Sequence, residues 1–314
     1  MRLNYLLILI IAALYSCANE TNTEETSEHI SKPTGPYIKV LGVAQDAGYP
    51  QANCHKVCCA KVWSGEVEKI LVVSLALIDP SNNDAWLFEA TPDFIEQVHE
   101  LEDYNLKGIF LTHGHIGHYT GLMHLGREAM GANNMPVYSM PRMAEFLTIN
   151  GPWSQLVSMN NIEVKMLQND SVVILNENLR VTPMLVPHRD EYTETVGFKI
   201  EGPGKSLIFI PDINKWEKMD QDIKNIVTQI DYALLDGSFY DGEELPGRDM
   251  SEFPHPFIVE SINLFGDLSL QDRSKIHFIH FNHTNPLLDL QSPQSNQVIS
   301  QGYKLSYQGL LIEL

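Results

Sequence analysis

The segment Gly108-Ile109-Phe110-Leu111-Thr112-His113-Gly114-His115-Ile116-Gly117-His118 limits what this chain can become more than any other stretch. An apolar run of strand character ends in three histidines at spacings of two and three. Residues i and i+2 lie on one side of an extended segment, so His113 and His115 can grip one ion. The turn through Gly117 then swings His118 towards a neighbouring position. Further along, His188 follows the apolar run 180–186, Asp212 follows 206–211, and His280 lies at the end of 275–281. One buried histidine is usually a hydrogen-bonded core residue. Six metal-type residues at the C-terminal ends of strands point instead to one or two divalent ions; neutral imidazole suits zinc, manganese or iron. Each ring also needs its second nitrogen held, by partners the sequence does not name.

Short apolar runs bounded by turn residues predict strands at 38–44, 71–78, 86–89, 108–112, 172–175, 180–186, 196–200, 206–211, 232–236, 275–281, 303–306 and 310–313. Helical periodicity appears at 92–104, 119–130, 141–148, 215–229, 256–265 and 293–301, several with Asp, Pro or Ser at the start. Strand groups interleaved with helices predict an α/β chain of two sheets back to back, with helices on both outer faces.

Residues 1–16 carry Arg2, an apolar run at 6–14 and the small Ser16, the pattern of an export signal too short for a comfortable membrane span. Leu14-Tyr15-Ser16-Cys17 is similar to a bacterial lipobox, in which the cysteine takes a lipid; Tyr15 is bulky for it, and an uncleaved anchor or an ordinary secretory signal are the alternatives. Residues 17–36 are polar and end in Pro33-Thr34-Gly35-Pro36, which reads as a flexible tether. Residues 37–314 are left as one catalytic domain. The expected location is therefore outside the cytoplasm, on a bacterial membrane through lipid on Cys17. The 21 basic and 40 acidic residues give a net charge of −19, which repels nucleic-acid phosphates and argues against an electrostatic membrane patch. A small-molecule substrate is the remaining partner.

The other three cysteines, Cys54, Cys58 and Cys59, fall within six residues of one another. Three thiols cannot all pair internally. One disulfide plus a free thiol is one reading; three thiolates and a histidine around a tetrahedral structural zinc is the other.

Taken together these residues resemble the metallo-β-lactamase fold superfamily, whose loop reads His-x-His-x-Asp-His and is followed by distant His, Asp and His ligands in the order found here. The opening Leu41-Gly42-Val43-Ala44-Gln45-Asp46-Ala47-Gly48-Tyr49-Pro50-Gln51 with Asn53-Cys54, and the closing His280-Phe281-Asn282-His283-Thr284-Asn285-Pro286-Leu287-Leu288, are similar to the coenzyme PQQ synthesis protein B branch. The cysteine loop also resembles that of the phosphonate-pathway cyclic phosphodiesterases. The resemblance implies an αββα four-layer sandwich with metals at one edge. It implies His113, His115 and His188 at a first position, His118 and His280 at a second, and Asp212 bridging. It further implies a structural zinc held by the early cysteines and a histidine three residues past the last catalytic one, here His283; Lys56 stands where the relatives' middle thiol would be, and Cys58 is the substitute.

The aspartate of the family loop is Gly117 in this chain, which weakens the second position. Asp46 either compensates or caps its own loop. If a missing ligand is the whole difference, Gly117→Asp should raise second-site occupancy. His29, His55, His99, His124 and His277 read as structural or exposed, and His255, beside Pro254 and Pro256, either as a satisfied loop histidine, the reading preferred, or as one that faces the pocket. The pocket walls are expected from Tyr49, Tyr119, 189–192 and 239–256.

A metal held by three protein ligands keeps a position for water and makes hydroxide available near neutral pH. The expected function is a metal-dependent hydrolase of esters, phosphodiesters foremost, with zinc as cofactor and Asp212 and His280 at the reacting centre. The alternatives are an oxidative enzyme like coenzyme PQQ synthesis protein B, with iron, and a non-catalytic metal-binding surface lipoprotein.

Overall fold

The structure is a computed structural model that describes residues 32–314; the leader at 1–16, Cys17 and the tether up to residue 31 lie outside the described residues. Residues 33–314 form one compact unit. Its strands in chain order are β1 (Tyr37–Gly42), β2 (Ser74–Asp79), β3 (Asp84–Phe88), β4 (Asn105–Phe110), β5 (Met135–Ser139), β6 (Ile162–Met166) and β7 (Val173–Ile174). They continue as β8 (Arg180–Leu185), β9 (Val196–Glu201), β10 (Ser206–Ile210), β11 (Tyr232–Asp236), β12 (Ile276–Ile279), β13 (Lys304–Leu305) and β14 (Leu311–Glu313).

Two seven-stranded sheets result, ordered β14-β1-β2-β3-β4-β5-β6 and β13-β12-β11-β10-β9-β8-β7. Both are mixed, and in the same way. In the first, β14, β1, β2 and β3 pair antiparallel and β3 to β6 parallel; in the second, β7 to β10 pair antiparallel and β10 to β13 parallel.

Period-two alternation sorts the side chains of the first sheet. Leu75 and Leu77 of β2 join the core between the sheets, while Ala76 and Ile78 face the helical side with Phe94, Leu122 and Leu147. Rings close the inter-sheet gap: Phe88 of β3 meets Phe198 of β9 at 5.5 Å between centroids, and Phe110 meets Phe198 at 5.6 Å. On the far side of the second sheet, Ile223, Val227, Ile258 and Phe265 from helices Ile223–Gln229 and Ile258–Phe265 pack against β10 to β12. The expected layering of helix, sheet, sheet and helix is what forms.

Two strands escaped the sequence reading. Pro136 spoke against a strand at β5, since it cannot donate to a ladder. In β6 the alternation Ile162-Glu163-Val164-Lys165-Met166 marks a half-exposed edge strand that only five residues display. The long helix expected at 119–130 is a turn of α-helix, Ile116–Tyr119, running into a 3-10 segment, Thr120–Leu125. None of the described helices is long and apolar enough to cross a membrane.

Candidate metal centre

The segments that leave β4, β8, β10, β11 and β12 all emerge at one rim, because parallel strands in both sheets point their C-terminal ends the same way. That rim gathers the chemistry. His113 Nε2 lies 2.9 Å from His115 Nδ1, His188 Nε2 lies 3.2 Å from the same His115 atom, and Asp212 Oδ2 is 3.3 Å from His113 Nε2 and 3.2 Å from His188 Nε2. Donor atoms about 2.0–2.1 Å from a tetrahedral ion stand roughly 3.3 Å from one another. Three ring nitrogens and one carboxylate oxygen at those mutual spacings fit a divalent cation, since no single proton could satisfy all four.

A second group adjoins the first. Asp46 Oδ1 lies 3.1 Å from His118 Nε2 and 3.2 Å from His280 Nε2, and Asp212 Oδ2 is 3.8 Å from His118 Nε2. One oxygen of Asp212 thus belongs to both groups. Asp212 Oδ1, the other oxygen, is buried without a hydrogen bond. All six residues expected as catalytic-metal ligands, His113, His115, His118, His188, Asp212 and His280, are brought together.

The surrounding polar groups aim the rings. Thr112 Oγ1 lies 2.8 Å from His113 Nδ1, Glu191 Oε2 lies 3.0 Å from His115 Nε2, and Glu89 Oε2 lies 3.4 Å from His118 Nδ1. Ser238 Oγ is 2.8 Å from His280 Nδ1 and donates to Asp236 Oδ1 at 2.7 Å. His280 and Glu89 both take left-handed backbone angles, φ 69° and φ 77°. Non-glycine residues hold such angles at a cost, and here they turn the side chains into the rim.

His255, expected as a satisfied loop histidine or one facing the pocket, is hydrogen-bonded and stands beside the donor groups. Its buried Nδ1 sits 2.9 Å from Asp236 Oδ2 and 3.3 Å from Asp212 Oδ1, between the two carboxylates. Glu89 and Asp236 were missed as site residues, although they had the same signal as the others, a carboxylate at the C-terminal end of an apolar run; for His255 the site was the less favoured of two readings, because it arrives on an irregular segment.

Charge in this buried cluster is balanced by pairing. Burial alone would push His280 down, but Asp236 and Asp46 override it and hold the ring at about 9. Burial likewise opposes ionisation of Asp46 and Asp212, yet the surrounding imidazoles hold both well below the carboxylate range. His118, buried between Asp46 and Glu89, is held well above its usual value, whereas burial and repulsion from His118 push His113 well below.

The cysteine loop forms a separate cluster. Cys54, Cys58, Cys59 and His283 bring their donor atoms together, and the three described cysteines are free thiols. Cys54 Sγ and Cys58 Sγ are 3.7 Å apart. A tetrahedral ion with sulfur ligands at about 2.3 Å sets its sulfurs roughly 3.8 Å apart, so the donors fit zinc. Burial pushes Cys59 up to about 12, so the cluster cannot carry three thiolates without a cation. His283 Nδ1 lies 3.1 Å from Asn282 Oδ1, which orients the ring.

A cleft of about 640 Å³ opens over the first group; Asp46, His115, Tyr119, Trp153, Arg189 and Tyr192 are among its lining. Tyr119 and the 189–192 stretch lie where expected. Tyr49 does not: its hydroxyl donates to Cys58 O at 2.7 Å in the cysteine loop. Of the 239–256 stretch, Phe239 and Met250 pack with Phe257 in a small apolar cluster of their own rather than lining that cleft.

Residues 76–281 match the family described as β-lactamase superfamily domain. Coenzyme PQQ synthesis protein B of Klebsiella pneumoniae is 28% identical over 314 residues, covering 88% of this chain and 98% of that protein. The protein of the same name from Pseudomonas syringae pv. tomato is 28% identical, covering 88% and 100%. Among solved structures, the Zn(2+)-bound PqqB from Methylobacterium extorquens superposes with a TM-score of 0.74 at 22% identity, over 88% of this chain and 100% of that one. A diphosphatase from the PhnP family does so at 0.64 and 21%, over 89% and 97%. With that match across most of both sheets, and histidine and aspartate ligands gathered at one rim, the chain belongs to the β-lactamase superfamily and has the metallo-β-lactamase fold.

Proposed function

We propose that this protein is a metal-dependent hydrolase of esters, and of phosphodiesters in particular, with zinc as its metal. The observation that carries the reading is Asp212 Oδ2, 3.3 Å from His113 Nε2, 3.2 Å from His188 Nε2 and 3.8 Å from His118 Nε2, shared between two adjacent donor groups. When bound, divalent ions there supply water ionised near neutral pH and positive charge for the developing oxyanion. The chain's own residues do the rest. His255 lies 3.3 Å behind Asp212, Asp236 fixes His255, Ser238 fixes His280, and Glu191 fixes His115 at the cleft mouth. Tyr119 stands at 5.0 Å from Trp153 and 5.4 Å from Phe146 between ring centroids, and Phe146 at 6.1 Å from Tyr192, an aromatic wall suited to a flat leaving group. Arg189 adds a cation for an anionic substrate.

Metal content of the purified protein and turnover of a panel of chromogenic phosphodiesters, carboxylic esters and lactams test this reading. Zinc or manganese with phosphodiester turnover supports it; full metal loading with no hydrolysis of any member would sink it. The second reading is an oxidative enzyme like the relatives named for coenzyme PQQ synthesis, favoured by their coverage of 98–100% of their own length. Iron, with oxygen consumption and no hydrolysis, would favour it. We also propose export and lipid attachment at Cys17, supported by the residues at 6–17; metabolic labelling with palmitate, abolished in Cys17→Ser, is the expected outcome.

A further inference from the structure

We infer that Asp46 supplies the carboxylate ligand of the second metal position, delivered from the loop after β1, and that it does so by occupying the space a side chain at residue 117 would need. The inference rests on the metal-centre reading above and goes beyond it in two ways: it assigns a ligand that lies outside the histidine loop, and it explains why residue 117 is glycine.

The steric side is direct. A Cβ built on Gly117 would lie 2.4 Å from Asp46 Cα, 2.5 Å from its Cβ and 2.7 Å from its Cγ. No real Cβ makes such contacts, and the nearest atom is backbone, which cannot rotate away. The two positions therefore exclude each other: the loop carrying Asp46 can run where it does only if residue 117 has no side chain. The carboxylate then reaches His118 and His280 from that loop, with one oxygen 3.1 and 3.2 Å from their Nε2 atoms.

The backbone fixes the loop at that spot. Ala44 bridges to Val72, just before β2 of the first sheet, and to Phe281, the neighbour of His280 just after β12 of the second. Phe281 N donates to Val43 O at 2.8 Å, and Gln45 N donates to Phe281 O at 2.8 Å. Asp46 thus follows directly on the seam that joins the two sheets, so its distance from His280 is set by main-chain hydrogen bonds. Its side chain remains 31% exposed and borders the cleft, whereas His113, His188 and Asp212 are at most 4% exposed. Asp46 thus reaches the second position from the cleft side, with His118 and His280 fully buried behind it.

Metal stoichiometry of the full-length protein, measured by elemental analysis after dialysis and by the absorption spectrum of the cobalt(II)-loaded form, tests this. Asp46→Asn, which keeps shape and removes charge, is expected to retain one ion fewer than the unaltered protein, with second-ion affinity at least about tenfold weaker. Gly117→Ala, which adds no ligand and only bulk, is expected to lose the same ion by displacing the loop. Gly117→Asp is expected to gain nothing, contrary to what a simple missing ligand demands. Retention of the ion at His113, His115 and His188 reports that each variant is folded. Unchanged stoichiometry and affinity in Asp46→Asn, or tighter second-site binding in Gly117→Asp, overturns the inference while leaving the metal centre standing. No uptake at all by the unaltered protein overturns the metal-centre reading and this inference with it.

Discussion

At the scale of single residues, the site separates side chains that would touch an ion from those that aim them. His115 offers Nδ1 to the cluster while Glu191 holds its Nε2. His115→Ala removes a donor outright, so loss of the first ion and of turnover is expected, read by elemental analysis and by assay on whichever substrate is turned over. Glu89 acts through His118, and its other oxygen accepts from Thr112 N at 3.2 Å. Glu89→Gln should leave the fold and ion count intact at saturating metal but weaken second-ion affinity by about 10–100-fold, measured by competition with a chelator. A change of metal-independent stability in place of that affinity loss would show Glu89 to be structural only.

Among the elements, the segment after β11 has its own pH dependence. Glu244 accepts from Tyr240 N at 2.6 Å and from the Thr284 hydroxyl, and burial raises its carboxyl to about 7. The folded chain therefore keeps this proton up to about pH 7, while the unfolded chain releases it near the ordinary glutamate value of 4.5. The contribution is favourable below the lower value and is lost as pH rises through the upper one, to a limit of about 3 kcal/mol. Glu244→Gln is thus expected to raise the urea midpoint at pH 8 by more than at pH 5; an equal gain at both would remove the assignment. The same scale shows what the sequence displayed. Strand ends carrying His113, His188, Asp212 and His280 were legible because an apolar run stops at a polar residue. Tyr119 and Tyr192 of the aromatic wall were expected at the pocket, but Trp153 and Phe146 were not distinguishable from ordinary core or surface rings, since the rings they meet come from other elements.

Over the whole molecule, residues from both sheets meet at the candidate site: His113, His115 and His118 follow β4 of the first sheet, and His188, Asp212 and His280 follow strands of the second. Only the folded chain assembles the full donor sets at the rim and in the cysteine loop, so ions held there favour it by mass action. Exhaustive chelation is expected to lower the melting temperature by several degrees, restored by zinc, with a smaller effect in Cys54→Ser, where the cysteine cluster no longer responds. An unchanged melting curve after proven metal removal would exclude a structural contribution from either cluster.

The sequence alone pointed to the two-sheet architecture and the six rim residues, because periodicity and strand-end placement are local properties, whereas His283 beside the cysteines came from the family resemblance. Tertiary structure decided between the two readings of Asp46 offered by the sequence only so far as to place it against residue 117 and beside His118 and His280, and it alone put His255 between two carboxylates. Those placements depend on which loops are packed against each other across a seam between sheets, and the chain carries no local signal of the distance between residues 46 and 117, or 212 and 255.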